Sequence, residues 1–344
     1  MTRTEQRRIG ATTLTIDTLG LGCAPLGNLF HAIDDAEADA LLTAAWDAGI
    51  RTFDTAPHYG QGLSERRLGN ALRARRGERY VLATKVGRLL EPAGYAAERH
   101  GFVSPMPFDI VYDYGYDGVM RSYEDSLQRL GLDRIDILLM HDIGRATHGA
   151  EHERLFALAM ESGYRALDEL RRNGDVSAIG LGVNEWEVCE AALAHGDWDC
   201  FLLAGRYTLL EQGAVDSFLP ACVERRCSVI VGGPYNSGIL VTGVGGGAGH
   251  YNYGAAPAEV IGTVTRLEAV CRAFGVPLPA AALQFPLAHP AVAAVIPGMD
   301  RAAQVAETRR WFDTAIPAAF WAALADERLV RADAPLPGGA GSAA

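Results

Sequence analysis

With 344 residues, 49% of them hydrophobic and 21% charged, the chain has ordinary globular composition and ample core material, which excludes disordered, collagen-like and fibrous classes. A formal net charge of −11 argues against a nucleic-acid surface, since phosphate binding needs clustered Lys and Arg; the densest basic stretch, 73–79, ends a helical pattern, where cations meet the negative dipole end. Six cysteines without C-x-x-C spacing read as buried free thiols, and no apolar run is long enough to span a bilayer, so the expectation is a reducing cytoplasm and no membrane partner.

Residues 8–18 alternate apolar and polar side chains around 10–13, the pattern of a small hairpin placed to plug a barrel floor. Beyond them, a short apolar run rich in β-branched residues, a loop and a helical pattern recur along the chain. Strands are expected at 19–23, 51–54, 80–85, 135–141, 179–184, 201–204, 228–232 and 292–296, and helices at 35–48, 65–75 and 114–130 among others. In the first helix Ala38, Leu41, Leu42, Ala45 and Trp46 form one apolar stripe above a stop at Gly49. No linker breaks the β-α rhythm before about residue 330, so the fold class is α/β, a single (β/α)8 TIM barrel over 1–334. Two long loops, 89–107 and the glycine-rich 233–257, are expected at its C-terminal mouth, and 335–344 as a disordered tail.

In such a barrel the polar residues that end strands converge on one site. Asp54, Lys85 and His141 each end an apolar run, on three consecutive strands. Alone, each has an ordinary explanation: a turn Asp, a solvated Lys, a core His. Together they mark a site. No metal-ligand spacing accompanies them, so neither a metal centre nor a metal-dependent hydrolase is expected.

The segment DTAPHYGQGLSERRLG at 54–69 closely resembles the aldo-keto reductase signature, with its Asp, Tyr, Gly, Ser-Glu and Leu-Gly positions on Asp54, Tyr59, Gly60, Ser64, Glu65, Leu68 and Gly69. The resemblance runs from about residue 8 to 315 and includes LLMHDIG at 138–144 and VIPGMDRAAQVAET at 295–308. It implies a nicotinamide-dependent oxidoreductase whose tetrad is Asp54, Tyr59, Lys85 and His141. A phenol, of pKa about 10, is a weak acid whose conjugate base is scarce at neutral pH; an ammonium at Lys85 favours phenolate, and Asp54 holds Lys85 charged. Neutral His141 orients the substrate oxygen. A non-catalytic regulatory subunit of the same family is disfavoured by the intact tetrad.

No G-x-G-x-x-G follows the first strand. The resemblance instead places the dinucleotide along Gly22, Cys23, Asp54, Asn184, Gly233, Pro234, Ser237, Gly238 and Leu240, with its adenosine end at Pro297, Gly298, Met299, Gln304, Glu307 and Thr308. Members that use NADPH place a Lys-Ser pair and an Arg where this chain has Gly298, Met299 and Gln304, which points to NAD, while Arg301 leaves NADP open. A ring-stacking Tyr is replaced by Gly232, with Tyr235 three positions on, and a Ser-Asn pair by Asn184-Glu185. HDIG and GGPYNSGIL resemble the branch that oxidises free aldoses at C1, that of L-fucose, D-threo-aldose and L-galactose dehydrogenases, with pyridoxal 4-dehydrogenase close. The resemblance thus implies NAD-dependent oxidation of an aldose to its lactone, with pyridoxal oxidation or general aldehyde and ketone reduction as alternatives. His58, Tyr59, His141 and Asp142 are the expected substrate contacts. The partner is a small molecule, and the oligomeric state is left open.

Overall fold

The computed structural model describes residues 5–245, 250–252 and 254–338. Eight parallel strands form one sheet in chain order: β1 Leu21–Gly22, β2 Thr52–Asp54, β3 Val81–Val86, β4 Ile137–His141, β5 Ala178–Val183, β6 Cys200–Ala204, β7 Ser228–Gly232 and β8 Val292–Ile296. The sheet closes on itself through parallel bridges Leu19↔Val295 and Gly22↔Gly298 and the bonds Gly20 N–H to Val295 O and Gly22 N–H to Pro297 O, both 3.0 Å. Closure leaves no unpaired edge. All eight strand expectations correspond to barrel strands, with ends displaced by at most two residues.

Side chains alternate in and out along each strand. Val81 and Ala83 of β3, Ile137 and Leu139 of β4 and Leu202 of β6 share the inner cluster with Ile9 and Ile16 of the N-terminal hairpin, whose strands Gln6–Arg8 and Thr15–Asp17 pair antiparallel. Gly10 packs on the carbonyls of Asp199 and Arg226, just before β6 and β7 begin, so the hairpin plugs the floor as expected. The same period carries Lys85, two beyond Ala83, and His141, two beyond Leu139, into the mouth. Outward residues such as Phe53 join the cluster that faces the helices, where Trp46 of helix Asp35–Asp47 stacks on Phe53 with centroids 6.4 Å apart. That helix starts at a capping box between Asp34 and Glu37.

The segment after β3 departs from expectation. Instead of a loop over 89–107 it forms an antiparallel ribbon, Arg88–Pro92 with Phe108–Tyr112, tipped by a second pair, Glu98–Arg99 with Phe102–Val103. The tip is tied back to the loop after β1 by the bridge Leu29↔Phe102 and by Val103 N–H to Asn28 O at 3.0 Å. Backbone groups of a segment this long need partners, and strand pairing supplies them. Part of the glycine-rich stretch, 246–249 and 253, lies outside the described residues, as do 339–344 of the expected tail. Residues 335–337 are half-buried with Leu336 against the core, so they belong to the folded body rather than to a tail. All six cysteines are buried free thiols.

Candidate active site

Asp54 ends β2 and pairs in register with Ala83 of β3. The Lys85 ammonium donates to both Asp54 carboxylate oxygens, at 2.8 and 2.7 Å, to Thr55 O at 2.9 Å and to the Tyr59 hydroxyl at 3.0 Å. Asp54 and Lys85 are 4% and 1% exposed, so water contributes little to stabilising either charge. Burial raises the Asp54 carboxyl above its ordinary range, and the Lys85 ammonium pulls it back. Glycine at 182 makes the arrangement possible: a Cβ there would stand 2.9 Å from Lys85 Cε.

Tyr59 follows β2 on a turn set by close backbone contact, since a Cβ on Gly60 would stand 2.4 Å from Gly27 O, and Gly60 has φ +65°. Below it Ser64 donates to Cys23 O at 2.7 Å, and Glu65, fully buried, accepts from Thr84 at 2.9 Å and from Arg129. Ser64 and Glu65 thus anchor the turn, while Gly69 lets helix Leu63–Arg73 pack on the backbone of Leu130. His141 ends β4, its ring centroid 6.0 Å from that of Tyr59 and 5.8 Å from that of His58. Burial, helped by the Arg88 and Lys85 cations, holds the His141 imidazole well below its ordinary pKa, and the same causes bring His58 down to about 2. Both rings are neutral at working pH.

Tyr59, Lys85, His141, His58 and Asp142 line one cavity of ≈570 Å³ under the ribbon, with Phe30, His100 and Phe102 among its walls. Two residues at the site escaped the sequence reading. Arg88, which opens the ribbon and lines the cavity, is 4% exposed and donates to Asp142 Oδ2 at 2.6 Å; Tyr114, fully buried behind the cavity, donates to His141 O at 2.8 Å. The sequence holds one local signal for them, Gly87, whose left-handed backbone (φ +93°) sits where a Cβ would strike the Tyr114 ring at 2.3 Å.

A second cavity of ≈440 Å³ adjoins the first through Tyr59 and Asn184. Gly22, Asp54, Asn184, Gly233, Pro234, Ser237, Gly238, Gly298, Met299, Gln304, Glu307 and Thr308 line it; Cys23, Leu240 and Pro297 do not. The Cys23 thiol is fully buried near Leu21 O, Leu240 is fully buried in the core, and Pro297 is occupied at the seam with Gly22. Gly22, Gly232 and Gly298 bring backbone to its wall, and Asn236 and Ser237 have left-handed φ, strain of a kind held at ligand-clamping loops. These residues fit an elongated dinucleotide. Tyr235 packs edge-on to Trp311 at 6.4 Å, and Glu185 turns away to accept from Ala146 N–H at 3.0 Å. Asp300, also missed, lines the far end and meets His31 at 3.2 Å, while its N–H is taken by Gln304 at 2.7 Å.

A buried Lys-Asp pair against a phenol, at the mouth of a (β/α)8 barrel and beside a long cleft, is the layout of a barrel enzyme. The aldo/keto reductase family model matches residues 18–327, and the chain belongs to that family. It is 47% identical over 337 residues to pyridoxal 4-dehydrogenase of Microbacterium luteolum, covering 95% of this chain and 98% of the relative. To D-threo-aldose 1-dehydrogenase of a Pseudomonas species it is 42% identical over 326 residues, covering 93% and 96%. Among solved structures, aldo-keto reductase AKR11C1 from Bacillus halodurans superposes with TM-score 0.74 over 96% of this chain and 97% of that one, at 24% identity, a likeness of fold. The family uses nicotinamide cofactors, and both relatives lie in the branch read from the sequence.

Proposed function

We propose that the protein oxidises a cyclic hemiacetal to a lactone with NAD as hydride acceptor. The observation that carries this reading is the Asp54–Lys85–Tyr59 cluster with neutral His141 at the head of an aromatic-walled cavity, in a chain whose relatives act on pyridoxal and on D-threo-aldoses. Those two substrates differ as molecules but share a reacting group. An aldose closes to a lactol, and pyridoxal, whose aldehyde neighbours a hydroxymethyl group, closes to one as well. The sequence reading put free aldoses first. Greater identity to the pyridoxal enzyme, and ring-bearing walls from His58, Phe102 and Tyr59, move pyridoxal ahead, with L-fucose and L-galactose-like aldoses second.

Oxidation takes a proton from the anomeric O–H and a hydride from the C–H on the same carbon, leaving C=O. A bound nicotinamide supplies the hydride acceptor. Tyr59 as phenolate takes the proton, and the ammonium of Lys85 stabilises that phenolate. Asp54 compensates the buried ammonium throughout. His141, neutral, bonds the substrate oxygen and fixes its direction toward Tyr59. In the reverse direction Tyr59 returns the proton. Asp300 and Glu307 line the far end of the cleft, and the Arg301 side chain there is 69% exposed; a 2′-phosphate would meet two carboxylates, which favours NAD over NADP.

The test is production of reduced nicotinamide from pyridoxal, L-fucose, L-galactose and a D-threo-aldose, each with NAD and with NADP. Turnover of at least one lactol with NAD is expected. Reduction of simple aldehydes with no lactol oxidation would overturn the reading and leave a general aldehyde reductase.

A further inference from the structure

We infer that Arg88 is a specificity-determining residue that bonds a second substrate oxygen, carried one or two carbons from the reacting one, and that Asp142 positions it. The proposal deepens the functional reading above and rests on its assignment of the ≈570 Å³ cavity to substrate. Arg88 is 4% exposed and lines that cavity with Tyr59 and His141. One terminal nitrogen donates to Asp142 Oδ2 at 2.6 Å, but its Nε–H, buried, has no hydrogen-bond partner among the described residues. Among the described residues, His58 Nδ1 and His141 Nδ1 are buried without a partner as well. Orphaned polar atoms on side chains that line one cavity are destabilising unless those side chains turn to a ligand that satisfies them. They call for a ligand with oxygens beyond the reacting one.

The geometry sets where such an oxygen lies. Asp142 Oδ2 is 2.6 Å from Arg88 Nη2 and 3.5 Å from His141 Nε2, so a single carboxylate oxygen separates the guanidinium from the imidazole. An oxygen bonded by Arg88 therefore lies close to the oxygen held at Tyr59 and His141, three or four bonds from it along the substrate. In an aldose that is the 2-hydroxyl; in pyridoxal it is the phenolic oxygen, which as phenolate makes a charge-assisted bond to a guanidinium. Asp142 is held to this task on all sides. Its backbone is left-handed (φ +44°), its N–H donates to Gly182 O at 3.0 Å, and Oδ1 accepts from Asn184 at 3.3 Å.

The decisive experiment pairs substrates with variants and does not depend on a lactol being turned over. Reduction of 2-hydroxypropanal and of propanal by NADH is measured for the wild type, for Arg88→Met and for Arg88→Lys, which keeps the charge but has no Nε–H. The wild type should prefer the hydroxylated aldehyde about 30-fold in kcat/KM, and both variants should lose that preference through a far larger fall on 2-hydroxypropanal than on propanal. Asp142→Asn should raise KM for 2-hydroxypropanal more than it lowers kcat. Wild-type kinetics alone can overturn the proposal, by showing no preference, so failure of a variant to fold does not shield it. Equal losses on both aldehydes would also overturn it. If the preference vanishes as expected but no lactol is oxidised, the lactone reading falls and the role of Arg88 stands.

Discussion

The phenol of Tyr59 lies 3.0 Å from an ammonium whose remaining protons go to Asp54 and to Thr55 O. Every donor on Lys85 is thus spoken for, and the charge that stabilises a phenolate cannot wander. Tyr59→Phe removes the one group that exchanges the proton and leaves the cleft beside it intact. Turnover should fall by about 10³-fold, with NAD affinity, read from quenching of tryptophan fluorescence, within about twofold of wild type. A variant that kept its turnover would take Tyr59 out of the chemistry. Asp54, Lys85 and His141 were legible in the sequence because polar residues end apolar runs on three consecutive strands, a coincidence that no ordinary explanation of any one of them covers. Arg88 was not. An Arg three residues past Lys85 reads as solvated, and only its partner Asp142, 54 positions along the chain, turns it into the mouth.

Among elements, β3 and β5 meet across the barrel at one contact that matters for the reaction, the stem of Lys85 against Gly182. Gly182→Ala would place a methyl carbon within 2.9 Å of Lys85 Cε, too close for the ammonium to keep all its partners. We expect kcat to drop at least about tenfold while the melting temperature moves by only a few degrees, because the rest of the barrel wall is untouched. Loss of fold in place of loss of rate would show that the glycine serves packing alone. The strands themselves were readable from period and composition. The ribbon after β3 was not, because Arg88–Pro92 and Phe108–Tyr112 pair across an intervening segment with its own small hairpin and no tight-turn signature joins them. Their pairing is fixed by place, over a cavity and against the loop after β1, and neither is visible in local sequence.

At the scale of the molecule, buried neutral histidines tie stability to pH. His289 is 5% exposed before β8, accepts from Ala291 N–H at 3.2 Å, and is lowered by burial to about 4. Unfolded, it protonates near pH 6.5; folded, it does not until about pH 4. The unfolded state therefore binds more protons in that window, and the stability present above pH 6.5 is lost as pH falls through it, by about 1–2 kcal/mol at pH 5 for this residue. His289→Asn keeps an acceptor near Ala291 N–H but cannot protonate. The drop in melting temperature between pH 7.5 and pH 5 should be smaller in this variant than in wild type, and an equal drop would assign the acid sensitivity to other groups.

The seam between Gly22 and Gly298 has a consequence in time. The residues that handle the proton, from Asp54 to His141, lie in the first half of the chain, yet the cleft beside them is walled on one side by Gly298, Gln304 and Thr308. During synthesis the ring of strands stays open until β8 has left the ribosome, so the chemical half of the site is complete in sequence long before anything can bind beside it. A ligand lying in the cleft touches the first strand and the segment after the last at once. It acts as a clasp on the newest joint in the barrel, and occupancy and closure of the ring support each other.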